Sequence, residues 1–388
     1  MYPDLSYFLH DVFGTERDNI FSIIQTFGLL LAIAFLVSAW VLYLEIKRRE
    51  QLGQFKPKKV VREIGLPAST AELITNGLFG FILGYKLVYA YQEWDRFMLD
   101  AASVILSPYG DALSGLLVGA GFAAYTYWQG QKRKLPKPKK VVEKIYPRQR
   151  VGEITIVAAI SGIVGAKFFA LFESAETFRA FLADPVNTLF SGSGLAIYGG
   201  LIVAFAVCFW WVKRQGMKPI YMMDAVAPAL MIGYAVGRLG CHFSGDGDWG
   251  IVNEMPQPSW FILPEWMWAY DYPNNVLNQG VPIEGCEDRY CRRLDPPVFP
   301  TPVWETIICT GLFGILWYLR KKLTVPGMLF AIYLVMNGVE RFFIEKIRVN
   351  ETFYLLGIEM TQAELISFFT ILAGLLFGGW LYKKHGRF

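Results

Sequence analysis

Histidine is nearly missing from this chain: His10, His242 and His385 are its whole supply in 388 residues. Cysteine is scarce as well, at five. Cys241 stands next to His242, but no second ligand pair lies at zinc spacing, so neither a metal nor another cofactor is expected. Charged residues make up only 18% of the chain, against about 25% in soluble domains, which excludes an ordinary water-facing surface all round. A net charge of +4 does not suggest nucleic acid as a partner. The N-terminal stretch MYPDLSYFLHDVFGTERDN lacks a basic region leading into an apolar core and a small-residue cleavage site, so no cleavable signal peptide is expected. The alternating pattern of a membrane β-barrel is absent too.

What is present is apolar sequence in long blocks. Hydrophobic residues reach 54%, gathered in runs of roughly 20, the length that crosses a hydrocarbon core about 30 Å thick. These predict an all-α integral membrane protein, a polytopic bundle of nine spans near 20–45, 72–94, 112–128, 153–172, 197–212, 222–242, 302–319, 325–345 and 360–382. A longer loop, 243–301, forms a domain outside the bundle. The segments on one side (46–71, 129–152, 213–221, 320–324 and the C-terminal tail) carry 25 Lys and Arg, and those on the other carry 8. The excess of Lys and Arg on cytoplasmic loops then places the C-terminus in the cytoplasm and the N-terminus outside.

KPKKVV occurs twice, at 56–61 and 137–142. The same shift superposes Glu72 on Glu153, Gly84 on Gly165 and Lys86 on Lys167, and each copy continues through an acidic loop to a second helix. The chain therefore divides into an N-terminal arm and first span (1–55), two copies of a two-helix hairpin (56–134 and 137–215), and a final region (216–388) that holds the loop 243–301.

Ionisable side chains at membrane depth are expensive and mark function by default. Arg238 ends the sixth span. Arg341 and Glu345, four apart, share one face at the end of the eighth, with Glu340 adjacent. Two guanidiniums at similar depth suit a phosphate, which arginine binds bidentately, and the phosphate found at that depth is a phospholipid headgroup. The competing structural reading is that Arg341 only ties helices together through Glu345 or Glu340. After Arg238 the chain turns polar and glycine-rich in GRLGCHFSGDGDWG (237–250). Glycine permits close backbone approach and positive φ there. Asp246 and Asp248 are placed to cap, to orient arginines or to act as bases. His242, near that turn, is the candidate general base near neutral pH; the bland alternative is a hydrogen-bonded structural histidine. Trp249, Trp260, Trp266, Trp268, Pro256 and Pro264 suggest that part of the loop lies at the membrane interface as a cover or platform. Cys286 and Cys291, in the same loop, are a candidate short disulfide in an oxidising exterior.

Four stretches resemble the prolipoprotein diacylglyceryl transferases of bacterial inner membranes: QTFGLLLAIAF (25–35), AIYGGLIVAF (196–205), GRLGCHFSGDGDWG, and NGVERFFIEKIR (337–348). The resemblance implies transfer of the diacylglyceryl group of phosphatidylglycerol to the lipobox cysteine of a preprolipoprotein, with glycerol phosphate leaving. By position it implies that Arg238 is the signature arginine, Gly250 its terminal glycine, Arg341 and Glu345 the late pair, and Asp246 or Asp248 the counterpart of the signature glutamate. Tyr198 stands where the family has histidine, before Gly199 and Gly200; Cys241 replaces an asparagine and Phe27 a tyrosine. An unperturbed tyrosine has a pKa near 10, so Tyr198 suits hydrogen-bond donation better than base chemistry. Lys167 is expected to attract the anionic headgroup. The family generally has seven spans, and the extra hairpin accounts for nine. Other classes remain open: a lipid-binding or lipid-moving membrane protein without covalent chemistry, or an inactive relative with a scaffolding role.

Overall fold

The computed structural model describes residues 1–172, 175–190, 196–350, 352–355 and 357–385. Of the expected outer segment 173–196, residues 173–174 and 191–195 lie outside the described residues. Among the described residues nine long helices follow in order: α1 Thr26–Gln51, α2 Thr70–Gln92, α3 Ala112–Arg133, α4 Val151–Ala170, α5 Ile197–Arg214, α6 Pro219–Ser244, α7 Thr301–Leu319, α8 Met328–Glu345 and α9 Gln362–His385. Each overlaps one of the nine expected spans. Seven of them, all but α3 and α8, are long and apolar enough to cross a membrane. Helix α8 carries Glu340, Arg341 and Glu345 near its end, and α3 ends in Lys132 and Arg133. Large apolar side chains such as Leu36, Trp40, Ile160, Ile163, Leu376 and Trp380 face outward. Soluble monomers rarely expose apolar patches beyond a few hundred Å²; here such residues recur along the helices, as they do in a chain solvated by lipid. The protein is a multi-pass, all-α membrane protein.

Three short ribbons interrupt the helices, where the sequence pattern led us to expect only loops. They pair β1 (Lys58–Ile64) with β2 (Lys139–Ile145), β3 (Val281–Pro282) with β4 (Arg292–Arg293), and β5 (Thr352–Leu355) with β6 (Ile358–Thr361), all antiparallel. Their segments are short, and those of the first ribbon are strongly charged, so nothing in their hydropathy separates strand from loop.

The chain folds as two compact units, residues 56–216 and residues 1–55 with 217–388. In the first, α2 packs on α3 and α4 on α5. The two hairpins close at matching glycines. A Cβ on Gly84 would lie 2.6 Å from the Ser114 carbonyl oxygen and 2.8 Å from Val118 Cβ; on Gly165 it would lie 2.9 Å from the Gly199 carbonyl oxygen and 2.5 Å from Val203 Cβ. Small residues let helices approach closely where lipid offers no hydrophobic drive for association. The repeated KPKKVV segments run into β1 and β2, whose register is centred on Val61 opposite Val142. Exposed ion pairs Arg62–Glu143 and Lys140–Glu63, each 3.4 Å, flank that centre.

In the second unit α6 is central, packing on α1, α7 and α8, while α8 packs on α9. Its buried Ala225, Ala227, Ala229 and Ala235 allow the neighbours in, and Ala227, Met231, Ala235, Cys309, Leu316, Leu329 and Phe330 form the core. The segment from Gly245 to Pro300 folds over the end of α6. Cys286 and Cys291 are bonded, and Trp249, Tyr272 and Val298 make a small core. The N-terminal arm is stitched to this loop: the Tyr2 amide donates to the Phe243 carbonyl (2.7 Å), the Tyr290 amide to the Tyr7 hydroxyl (3.2 Å), and Arg17 pairs with Asp288 (2.8 Å). Trp249 and Trp268 are buried within the loop, whereas Trp260 and Ile262 are exposed. Only part of the tryptophan-rich stretch therefore faces outward.

Candidate active site

Helical spacing lines up Tyr234, Arg238 and Cys241 along one stripe of α6. That stripe faces the first turns of α7, where Glu305 is fully buried. Arg238 Nη2 donates to Glu305 Oε1 at 2.7 Å, and the Tyr234 hydroxyl donates to the same oxygen at 2.8 Å. Arg341 on α8 reaches it too, with Nη1 at 3.2 Å. Its Nη2 lies 2.8 Å from Glu345 Oε2, one helical turn on. Arg238 and Arg341, distant in sequence, thus meet on one carboxylate. Arg348, just past α8, brings a third guanidinium, with Nη1 3.7 Å from Glu305 Oε1.

Asp248 closes the ring. Its two carboxylate oxygens take one guanidinium each, from Arg238 and Arg348. Its carbonyl oxygen accepts from Thr301 Oγ1 at 2.8 Å. The turn reaches this position because α6 ends at Gly245 in the left-handed conformation (φ 64°) and because the chain then passes through a narrow gap at Gly250. There the Gly250 amide donates to the Phe299 carbonyl at 2.8 Å, and the Ile251 amide to the Ile347 carbonyl at 2.8 Å. A Cβ at Gly250 would sit 2.5 Å from the Ile347 carbonyl oxygen and 2.9 Å from Phe299 Cβ, so any larger residue would push the turn off α8.

Three arginines and the carboxylates of Asp248, Glu305 and Glu345 make a charge-balanced cluster. Placing one unpaired charge at this depth costs several kcal/mol, and the pairing offsets much of that. The pairing is incomplete. Among the buried side-chain atoms without a hydrogen-bond partner are Arg238 Nε, Arg348 Nε and Nη1, and both oxygens of Glu340. Donors left over in a fixed frame are what an added anion needs.

The remaining expected residues fall elsewhere. His242 is 4% exposed and ringed by Phe243, Trp266, Tyr270 and Tyr272. Its Nδ1 lies 3.3 Å from the Tyr272 hydroxyl. Burial pushes the Tyr272 phenol well above its ordinary pKa. Asp246 accepts from the Asp248 amide at 3.3 Å. Burial, then the neighbouring Asp248 charge, raises its carboxyl above the ordinary value. Cys241 Sγ and carboxylate oxygens of Asp246 and Asp248 lie within 4.8 Å of one another. That trio is the candidate cation group among the described residues, but Asp248 is already engaged by two guanidiniums. Phe27 packs near Gly240, two residues past Arg238 on α6. Lys167, Tyr198, Gly199 and Gly200 belong to the other compact unit, at the end of α4 and the start of α5. There Gly199 and Gly200 are the close-contact points with α4. In the first hairpin Lys86, the counterpart of Lys167, donates to the carbonyls of Val104 (3.3 Å), Ser107 and Tyr109 (2.7 Å), anchoring the loop after α2.

Sequence reasoning missed Glu305 and Arg348. Glu305 was open to detection, because a carboxylate inside an apolar run is as costly as an arginine there. Arg348 lies outside every span, and nothing in its neighbourhood separates it from a solvated loop arginine.

Comparison with known proteins gives the same direction. A family model described as prolipoprotein diacylglyceryl transferase matches residues 113–380. A phosphatidylglycerol–prolipoprotein diacylglyceryl transferase of Streptococcus uberis is 25% identical over 72% of this chain and 94% of its own length. One from Clostridium botulinum is 29% identical over 60% of this chain and 81% of its own. One from Leptospira interrogans is 24% identical over 85% of this chain and 73% of its own.

Proposed function

We propose the reaction of this protein from one premise: the chain belongs to the prolipoprotein diacylglyceryl transferase family. It moves the diacylglyceryl group of phosphatidylglycerol to the thiol of a prolipoprotein lipobox cysteine. A C–S bond forms, the C–O bond to phosphate breaks, and glycerol phosphate leaves. The observation that carries this reading is the convergence of Arg238 and Arg341 on Glu305, with unspent donors on Arg238 and Arg348 beside them. Three carboxylates, Glu305, Asp248 and Glu345, hold those guanidiniums in place before substrate arrives. A leaving phosphate is stabilised most by donors that need no reorganisation, and in a low-dielectric site each such donor is worth about 3 kcal/mol. Asp248 and Glu345 act as orienting groups, and Gly250 as the close approach that keeps Asp248 in reach. His242, Asp246 and Tyr198 remain candidate proton carriers, and Lys167, Phe27, Gly199 and Gly200 candidate substrate contacts. The ring of aromatics around His242 favours a carboxylate over the imidazole for taking the thiol proton.

The membrane assignment follows from the same reading: a bacterial inner membrane, with the loop 243–301 and the N-terminus on the periplasmic side and the C-terminus in the cytoplasm. The Lys and Arg asymmetry supports that orientation, and so does the Cys286–Cys291 bond, since disulfides persist in oxidising compartments. The test is direct. The purified protein, given phosphatidylglycerol labelled in its glyceryl backbone and a lipobox peptide, releases glycerol phosphate and leaves a thioether-linked lipid on the peptide. Lipid binding with neither product would move the protein to the non-covalent, lipid-binding class.

A further inference from the structure

Glu340 on α8 is a charged residue whose chemistry the transferase reading leaves unused. It is 6% exposed, and neither carboxylate oxygen has a hydrogen-bond partner. It precedes Arg341 on α8 and lies within electrostatic reach of Glu305, Arg341 and Arg238. The arginines pair with Glu305, Glu345 and Asp248. A buried carboxylate without partners is costly unless something completes it.

What Glu340 lines is a cavity of about 520 Å³ between α7 and α8. On α8, Val339, Glu340 and Phe343 form its wall, at helical spacing, with Ile347 just past the helix; on α7, Trp304 and Ile308 face them. Ile308, Val339 and Phe343 are exposed, so the cavity is a groove open on the helices' lipid-facing surface. Its remaining lining is apolar. An apolar groove with a single acidic group suits an apolar guest that carries one proton donor. The acceptor substrate of the proposed reaction has that form: a cysteine thiol within the apolar stretch of a membrane-embedded signal segment.

We propose that Glu340 is the general base of the transfer and that the α7–α8 groove delivers the thiol to it. The proposal rests on the transferase reading above. The thiol proton passes to a Glu340 oxygen. The sulfur attacks the glyceryl carbon, forming C–S as C–O breaks, and the electron pair leaves on the phosphate oxygen facing the arginines. The protonated Glu340 then returns its proton to the departing glycerol phosphate or to water. Glu340 precedes Arg341 on α8, and Arg341 meets Arg238 of α6 on Glu305, so base and leaving-group binders share one neighbourhood.

The experiment uses the full-length protein in phosphatidylglycerol nanodiscs with a lipobox peptide, following kcat, KM and lipid binding from pH 5.5 to 9.5. Glu340→Gln is expected to lower kcat at neutral pH about 100-fold or more, within the range for loss of a general base, with lipid binding unchanged. It should also remove the low-pH limb of the rate profile. Activity should recover as pH rises past the ordinary thiol pKa near 8.5, because a preformed thiolate needs no base. Glu340→Asp should retain a measurable part of the rate. Asp246→Asn and His242→Gln, run alongside, should keep the low-pH limb. Three results would overturn the assignment: Glu340→Gln turning over within threefold of wild type, a loss that high pH does not rescue, or the low-pH limb disappearing in Asp246→Asn or His242→Gln instead. If the wild-type protein releases no glycerol phosphate, the transferase reading itself fails, an outcome distinct from all three.

Discussion

Two buried ion clusters sit at opposite ends of α6, and they are finished to different degrees. At its start, Glu45 of α1 accepts from Arg48 Nε (2.9 Å) and Nη2 (2.6 Å), from Arg49 Nε (2.8 Å) and from Arg320 Nη1 (2.8 Å). Asp224 beside it accepts the backbone N–H groups of Gly327 (2.8 Å) and Phe330 (3.0 Å). Arg320 lies over the Trp317 ring, 3.4 Å from its centroid, and its Nε is the one fully buried side-chain atom of that cluster without a hydrogen bond among the described residues. At the other end of α6, Arg238, Arg341 and Arg348 meet Glu305, Asp248 and Glu345, and donors and acceptors are left over on Arg238, Arg348 and Glu340. The residue types are the same. A saturated cluster locks α1, α6, α7 and α8 together; an unsaturated one holds capacity for a guest. Buried ionisable residues at both ends answer the same sequence rule, and the two clusters differ in how many buried polar atoms are left without a hydrogen bond.

That contrast can be broken by mutation. Glu45→Ala should show the largest effect, on stability: it strands three guanidiniums, and removing one partner of a buried pair costs about 4 kcal/mol. Thermal unfolding in detergent should register the loss, while activity per folded molecule stays unchanged. A drop in specific activity with no change in Tm would erase the distinction. Arg238→Lys keeps the charge and loses the planar fork, and it should lower turnover about 100-fold, near 2.7 kcal/mol of transition-state stabilisation, with a smaller loss of Tm than Glu45→Ala. Unchanged turnover would return Arg238 to a helix-tying role.

Smaller effects sharpen the picture. Gly84→Leu and Gly165→Leu should each destabilise their hairpin by about 2 kcal/mol through overpacking, as read by protease resistance of the 56–216 unit. Markedly unequal losses would argue against equivalent hairpins. The smallest effect concerns Asp246, whose burial raises its carboxyl above the ordinary value. The folded state then favours the neutral acid, so its share of stability is greatest at low pH and falls as pH rises from the ordinary carboxylate value to the raised one. Asp246→Asn should flatten that slope and raise Tm at pH 8 relative to wild type; an unchanged pH dependence would place the carboxyl in a solvated setting.

Much of the fold was legible because its signal is local. Apolar runs marked the nine long helices to within about six residues at their ends, since spans share a length near that of the hydrocarbon core. The KPKKVV repeat and the matched Gly84 and Gly165 announced two similar hairpins, although the pairing of the repeats into a β-ribbon centred on Val61 and Val142 was not announced. The Arg341–Glu345 pair was legible because one helical turn fixes it.

By itself the sequence determined which segments are helices in lipid, where the glycines allow close approach, and that Arg238 and Arg341 are too costly to be idle. Only the tertiary structure decided that they converge on Glu305, that Arg348 joins them, that rings enclose His242, and that Glu340 faces a groove. Helix length and spacing are set by neighbours along the chain, whereas an ion pair between α6, α7 and α8 exists only once those helices have packed.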